Sequence, residues 1–293
     1  MKALLIGNDI NNATSDYSWS NLLQDLVDYA QLPEPPLMEG KPFPLFYEQI
    51  FLNSARLYGT KEKRIKTYLA VKSRKLQPNL IHEKIIGMGI PTLLTTNYDL
   101  TFETVLKANP EKIHNDAEVK ESRYNLFRVN HIGKHHIWHI HGTALNPSSI
   151  TLGYEHYSGY LQQMRNYMVV GTKGIYKKRN QIALARRIKA DSVKHESWID
   201  YFFTHDIHIF GLNLDFVEMH LWWLLTYRAR AKLLSKLDIT NSIHYYYPQH
   251  YEERSKYKLE LLRANEVRTV PLLMKKDDRM EYYERVLKQI KKS

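Results

Sequence analysis

The sequence predicts an α/β fold with a Rossmann-like, mostly parallel sheet flanked by helices. Three observations predict it. Short apolar runs stop abruptly at glycine or a polar turn, amphipathic stretches of helical period lie between them, and the two kinds alternate along 293 residues. With 43% apolar and 12% aromatic residues, the chain has ample material for a packed core.

The elements follow in order. Lys2 to Ile6 is an apolar strand ended by Gly7. A helix follows, with Ser18 or a neighbour as N-cap and Trp19, Leu22, Leu23, Leu26, Val27 and Ala30 at spacings of three and four. The proline-rich stretch from Pro33 to Pro44 reads as a surface connection, then amphipathic helix from Phe46 to Tyr58 and more helix to Met88. Thr92 to Thr95 is a buried strand after Gly89 and Pro91, with Leu100 to Ala108 as its following helix. Ile137 to His141 and Asp206 to Phe210 repeat the strand pattern, each ending at a glycine, and Leu214 to Leu234 is a long helix. Strand Ile243 to Tyr247, helix Glu252 to Ala264, strand Val267 to Val270 and a helix from Asp277 complete the series. The expected organisation is one domain over 1–293, with helical insertions at about 33–88 and 154–203 and a C-terminal αβ extension at about 237–293.

Composition narrows the chemistry. There is no cysteine, which excludes disulfides, a thiolate nucleophile and a cysteine-based zinc module. The first apolar run is ended by Asn8 and Asp9 too soon for a signal peptide or membrane span, so a soluble cytoplasmic protein is expected. The formal charge is +11, concentrated in Lys61 to Lys75, Lys173 to Lys189 and Lys288 to Lys292. Such runs read as solvated helix faces, and no nucleic-acid-binding signature accompanies them, so direct nucleic-acid binding is not expected.

In a parallel sheet, ligands bind where loops leave the carboxyl ends of the strands. Four polar segments follow predicted strands: Gly7-Asn8-Asp9, Thr95-Thr96-Asn97-Tyr98-Asp99, His141-Gly142-Thr143 and Gly211-Leu212-Asn213-Leu214-Asp215. In this order they resemble the SIR2-like family, relatives of the sirtuins that include bacterial antiphage effectors that degrade NAD. Thr95-Thr96-Asn97-Tyr98-Asp99 is similar to the family's Thr-x-Asn-x-Asp segment, His141-Gly142-Thr143 to its histidine-glycine pair, and Gly211 to Asp215 to its late glycine-serine-aspartate loop. Leu4 to Gly7 with Trp19 and Leu22-Leu23 resembles its first strand, phosphate loop and helix, and Ile150 to Leu152 with Tyr157 the segment after the histidine. The similarity covers about residues 1–225.

The resemblance implies NAD+ as substrate. Asn97 and His141 would be catalytic, Asn97 holding ribose and a water, His141 acting as general base with a ring that is largely neutral at cellular pH. Gly7, Asn8, Asp9, Asn11, Thr96, Asp99, Gly142, Gly211, Asn213 and Asp215 would bind the dinucleotide, with Asp99 at the nicotinamide carboxamide and Gly7 at the pyrophosphate. Without the zinc module that shapes a peptide cleft in deacylases, water is the expected acceptor, giving nicotinamide and ADP-ribose. The alternatives are a silent nucleotide-binding or assembly subunit and, further off, an NAD-dependent deacylase.

Plainer readings of the same residues remain open. Asn97 and Asp99 also suit the cap of a helix starting near Thr101, Asp215 suits another cap, Asn213 is equally ambiguous, and His141 could be a hydrogen-bonded strand-end histidine. His131, His135, His136, His139 and His141 cluster, and His139 and His141 would share a strand face. No suitably spaced carboxylate or cysteine completes that set, so no metal is expected. The phosphate loop departs from the family, with Asp9 in place of the second glycine, although Ile6-Gly7-Asn8 resembles the opening of the more distant AbiH abortive-infection group. An acidic group there repels a pyrophosphate unless it faces a ribose, a lysine or solvent. The resemblance further implies a defence complex in which a protein partner senses infection, with homo-oligomerisation as a further possibility.

Overall fold

A computed structural model describes residues 1–14, 18–110, 113, 124–172, 182–235, 237–275 and 278–293. Seven strands form one sheet: β1 Lys2–Ile6, β2 Thr92–Thr95, β3 Val129–Ile132, β4 His135–His139, β5 Asp206–Phe210, β6 Ile243–Pro248 and β7 Val267–Leu272. Their spatial order is β3-β4-β2-β1-β5-β6-β7, parallel throughout except for the β3–β4 hairpin at the edge. Without that hairpin arm, the order is the 3-2-1-4-5-6 of a dinucleotide-binding fold. Register aligns the strand ends, with Ile6 beside Thr95 and Phe210, and Thr95 beside His139.

Both faces of the central strands are buried, as their unbroken apolar runs require. Ala3, Leu5, Leu94, Trp138, Ile207 and Ile209 enter one core layer, while Leu4, Ile6, Leu93, Ile137 and Phe210 enter the other. The first layer is covered by α6 Tyr154–Arg165 and α8 Met219–Leu233; the second by α4 Leu80–Gly87 and α10 Arg279–Lys292. A third apolar cluster belongs to α1 Trp19–Ala30, α2 Phe43–Tyr58 and α3 Glu62–Ser73. It closes on Tyr98, Ala144, Ile150 and Leu152, so the helical insertion is packed over the loops that leave β2 and β4. The remaining helices are α5 Thr101–Val105, α7 Leu184–Lys189 and α9 Lys256–Ala264. Among the described residues, no helix is long and apolar enough to cross a membrane.

The differences from the sequence reading have local causes. Helix α2 starts at Phe43 because Pro44 falls in the first turn, where a missing N–H removes no helical bond. The strand expected at Ile137 to His141 is instead His135–His139. Gly133, at φ +57°, and Lys134 turn β3 back along β4, and a turn beginning at Ile140 ends the strand before His141. The β3 arm was not legible as a strand. Helix α5 is shorter than Leu100 to Ala108, and α8 starts at Met219 because Gly211 to Glu218 form a loop. The expected helix start at Asp277 lies outside the described residues; α10 is capped by Asp278, whose side chain accepts the Glu281 N–H. Trp222 and Trp223 are half-buried against the larger core layer, which also holds Tyr245 and Tyr247.

Candidate functional site

All four predicted segments lie at the carboxyl end of the sheet, after β1, β2, β4 and β5. Thr95 starts the arrangement: its hydroxyl donates to the Ile6 carbonyl (3.0 Å) and accepts the Asn97 N–H (3.0 Å), which turns the chain out of β2. Tyr98 then binds the second motif at both ends. Its carbonyl accepts the Ala144 N–H (2.8 Å) and its hydroxyl donates to the Thr151 carbonyl (2.5 Å), while the Thr151 N–H reaches the His141 carbonyl (2.9 Å). From the basic helix α3, Arg74 donates twice to the Ala144 carbonyl (3.0 and 2.7 Å), so this member of the charged run is structural.

Asn97 is 5% exposed, and neither end of its side-chain amide has a hydrogen-bond partner among the described residues. It lines a cavity of about 20 Å³ with Asn8, Tyr98 and Asp99. That volume holds about one water. Asp99 is buried with both oxygens engaged: one accepts the Thr101 N–H and hydroxyl (3.1 and 2.6 Å), the other the Asn11 amide (3.0 Å). The same amide nitrogen reaches Asn8 Oδ1 (2.8 Å). Asp99 therefore caps the turn into α5 and links the loops after β1 and β2, whereas Asn97 caps nothing.

His139 holds the Asn97 turn from behind. Its Nδ1–H donates to the Asn97 carbonyl (3.0 Å) and its Nε2–H to Glu103 Oε1 (2.8 Å), which also accepts the Asn130 amide (2.8 Å). Burial pulls His139 towards the neutral ring, but the Glu103 carboxylate outweighs it and holds its pKa above the ordinary value. Burial likewise pushes Glu103 up, and the His139 ring together with the two hydrogen bonds holds it below the ordinary carboxylate range. A charged pair is thus sealed beneath the turn.

His141 and His139 do not share a strand face, contrary to the sequence reading, because β4 has ended between them. His141 turns to α8, its Nε2 lying 2.8 Å from Nε2 of His220. Both rings are buried, packed against Tyr157, and burial holds His141 down to about 3. Tyr157 Oη and His220 Nδ1 are further buried polar atoms without a hydrogen-bond partner among the described residues. Gly142 has φ +96°, and a Cβ there would lie 2.3 Å from the Ser149 carbonyl oxygen, so the motif's glycine permits a backbone crossing.

The loop after β1 meets the loop after β5. Gly7 N–H donates to the Phe210 carbonyl (3.0 Å) and Asp9 N–H to the Gly211 carbonyl (2.9 Å). A Cβ on Gly7 would lie 2.3 Å from the Gly211 oxygen, so Gly7 is fixed by its approach to Gly211. The Asp9 carboxylate turns away from Asn97 towards α10, accepting from Arg279 Nε (3.2 Å) and the Tyr283 hydroxyl. It faces a second cavity of about 260 Å³, walled by Gly211, Asn213, Tyr245, Arg254, Lys258 and Tyr282 among others. Asn213 is exposed, its carbonyl and side-chain oxygen taking Lys258 Nζ (2.7 and 2.8 Å). Asp215 is exposed and shapes the turn before α8: its Oδ1 accepts the Val217 N–H (3.2 Å) and its N–H donates to Glu218 (3.1 Å).

Residues 91–187 match the SIR2-like domain family. The similar stretch runs from Pro91 before β2 to Arg187 in α7, and SIR2-like domains belong to a superfamily of NAD-dependent enzymes. A comparison with curated proteins finds no match. The SIR2-like segment contains Thr96, Asn97, Asp99, His141 and Gly142, while Gly7 to Asn11 and Gly211 to Asp215 lie outside it. The structure adds residues the sequence did not single out: Glu103 as the partner of His139, His220, Arg279, and Glu218, whose carboxyl burial pushes up to about 8. His131 packs on His136, so the histidine cluster is split, and no group of three ligating side chains is assembled among the described residues.

Proposed function

We propose that the protein is an NAD+ hydrolase that cleaves the bond between nicotinamide and ribose. The observation that carries this reading is the Asn97 amide, buried and unpartnered beside Asn8 and Asp99 in the SIR2-like segment. Leaving such a group unmet costs about 1–3 kcal/mol, so a site that keeps it is organised for a polar ligand. A ribose bound there offers hydroxyls to both ends of the amide. The bond from C1′ to the nicotinamide nitrogen breaks, with its electron pair leaving on nicotinamide, and a water oxygen bonds to C1′. The water proton passes to His141, and the products are nicotinamide and ADP-ribose. Asp99 holds the carboxamide, using acceptor capacity left by Thr101 and Asn11. The second cavity, rich in tyrosine and cations, suits the adenosine half; Asn8 lines the first cavity and Asp9 the second.

The Asn97 cavity is far below the 300–1,000 Å³ of ordinary ligand pockets, and Gly7 is bonded across to Phe210. This closure supports an effector that is opened by a protein partner or by self-assembly, in keeping with the antiphage resemblance. It also favours the rival reading of a silent nucleotide-binding subunit. Incubation of the protein, alone and co-purified with its partners, with NAD+ in ¹⁸O-enriched water decides between them. The hydrolase reading expects free nicotinamide and one ¹⁸O in ADP-ribose; binding of ADP-ribose without any turnover favours the silent subunit.

A further inference from the structure

Two imidazole nitrogens 2.8 Å apart in a buried site must share one proton, since two bare lone pairs or two N–H groups facing each other repel. The neutral His141–His220 pair holds one proton per ring. With one of these between the Nε2 atoms, one Nδ1 is protonated and the other is bare. The tautomer of His141 is therefore coupled to that of His220, a residue 79 positions away on α8: whichever ring donates carries the bare Nδ1. We propose that His220 is the positioning residue for His141: it fixes which ring nitrogen is basic and shares the charge when the pair takes a proton.

This rests on the hydrolase reading, in which the O–H bond of water breaks, an N–H bond forms on a ring, and the pair changes from neutral to singly positive. The surroundings leave that task to His220. From α6, Tyr157 and Tyr160 pack against its ring, and the Tyr160 hydroxyl already accepts from Trp198 (2.9 Å). Asp215 and Glu218, before α8, and Tyr98, after β2, act on Tyr157. Burial is what shifts His141, and burial followed by His141 is what shifts His220, with no carboxylate among the described residues acting on either ring. A lone buried imidazolium is costly, and spreading its charge over a second ring reduces that cost.

The test uses the full chain with ¹⁵N-labelled histidine, in wild type and with His220→Phe and His220→Gln. In wild type, the ring nitrogens of His141 and His220 should show a shared proton. The phenylalanine variant should change the His141 tautomer signals, and glutamine, which restores a polar partner, should bring them part of the way back. If the phenylalanine chain does not fold, the glutamine spectrum against wild type carries the same comparison. Unchanged His141 signals in a folded variant overturn the proposal. In nicotinamide release, His220→Phe should lower kcat about tenfold or more with little change in KM, and move the acid limb of the pH profile to lower pH. A loss proportional to unfolded protein, with the limb unmoved, contradicts a positioning role. Wild type that shows the shared proton yet never releases nicotinamide, even with its partners, refutes the hydrolase reading and leaves the pairing intact.

Discussion

Replacing Glu103 with alanine should destabilise the protein by about 3–5 kcal/mol, the range for removing one partner of a buried ion pair. The side chains of Glu103 and His139 are each 1% exposed, and Oε1 serves both the His139 ring and the Asn130 amide. The loss would take about a fifth or more of the roughly 5–15 kcal/mol that stabilises a typical domain. Its pH dependence follows from the two shifts. Glu103 is held below its ordinary value, so its contribution is complete above about pH 4.5 and fades as pH falls through the folded pKa. His139 is held above its ordinary value, so its contribution is complete below about pH 6.5 and fades as pH rises through the folded pKa. Urea unfolding of wild type and variant should show the widest gap between those limits and a narrower one in alkali. A gap under about 1 kcal/mol, or one flat with pH, would refute a charged pair beneath the Asn97 turn.

Three further outcomes are expected. Asn97→Leu should leave stability unchanged or raise it by about 1 kcal/mol in thermal unfolding, since an unpartnered buried amide is removed, while ending NAD+ cleavage; marked destabilisation would show that the amide is paired in the folded chain. Gly142→Ala should prevent folding or cost several times more than Gly133→Ala, because a Cβ at Gly142 meets the Ser149 carbonyl whereas Gly133 faces open space, leaving about 1 kcal/mol of left-handed strain; equal melting temperatures would contradict this. Asp9→Asn should strengthen ADP-ribose binding in calorimetry by removing a carboxylate that occupies Arg279, whereas weaker binding would place Asp9 on the ribose.

Strands β1, β2 and β5 were legible because strands buried on both faces read as continuous apolar runs ended by turn residues. Strand β4 was read two residues late, and the β3 arm not at all, since the histidines of the hairpin carry no alternation and drew attention as ligands. At the site, the Asn97 and His141 segments stood out because polar residues followed apolar runs and matched a known order. What gives them partners is non-local. Glu103 looks like an ordinary acidic residue of a short helix, His220 belongs to no motif, and Asp9 is answered by Arg279 from the far end of the chain. The Asp9 carboxylate thus has a cationic partner, though from the C-terminal helix and not from a neighbouring lysine.

The most direct test of the proposed hydrolysis is NAD+ content during phage infection in cells expressing the chain, alone and together with the genes that neighbour its own, for wild type, Asn97→Ala and His141→Ala. A fall in NAD+ with matching nicotinamide is expected in wild type only. NAD+ that stays constant in all three, or falls equally in wild type and His141→Ala, would contradict the proposed hydrolysis.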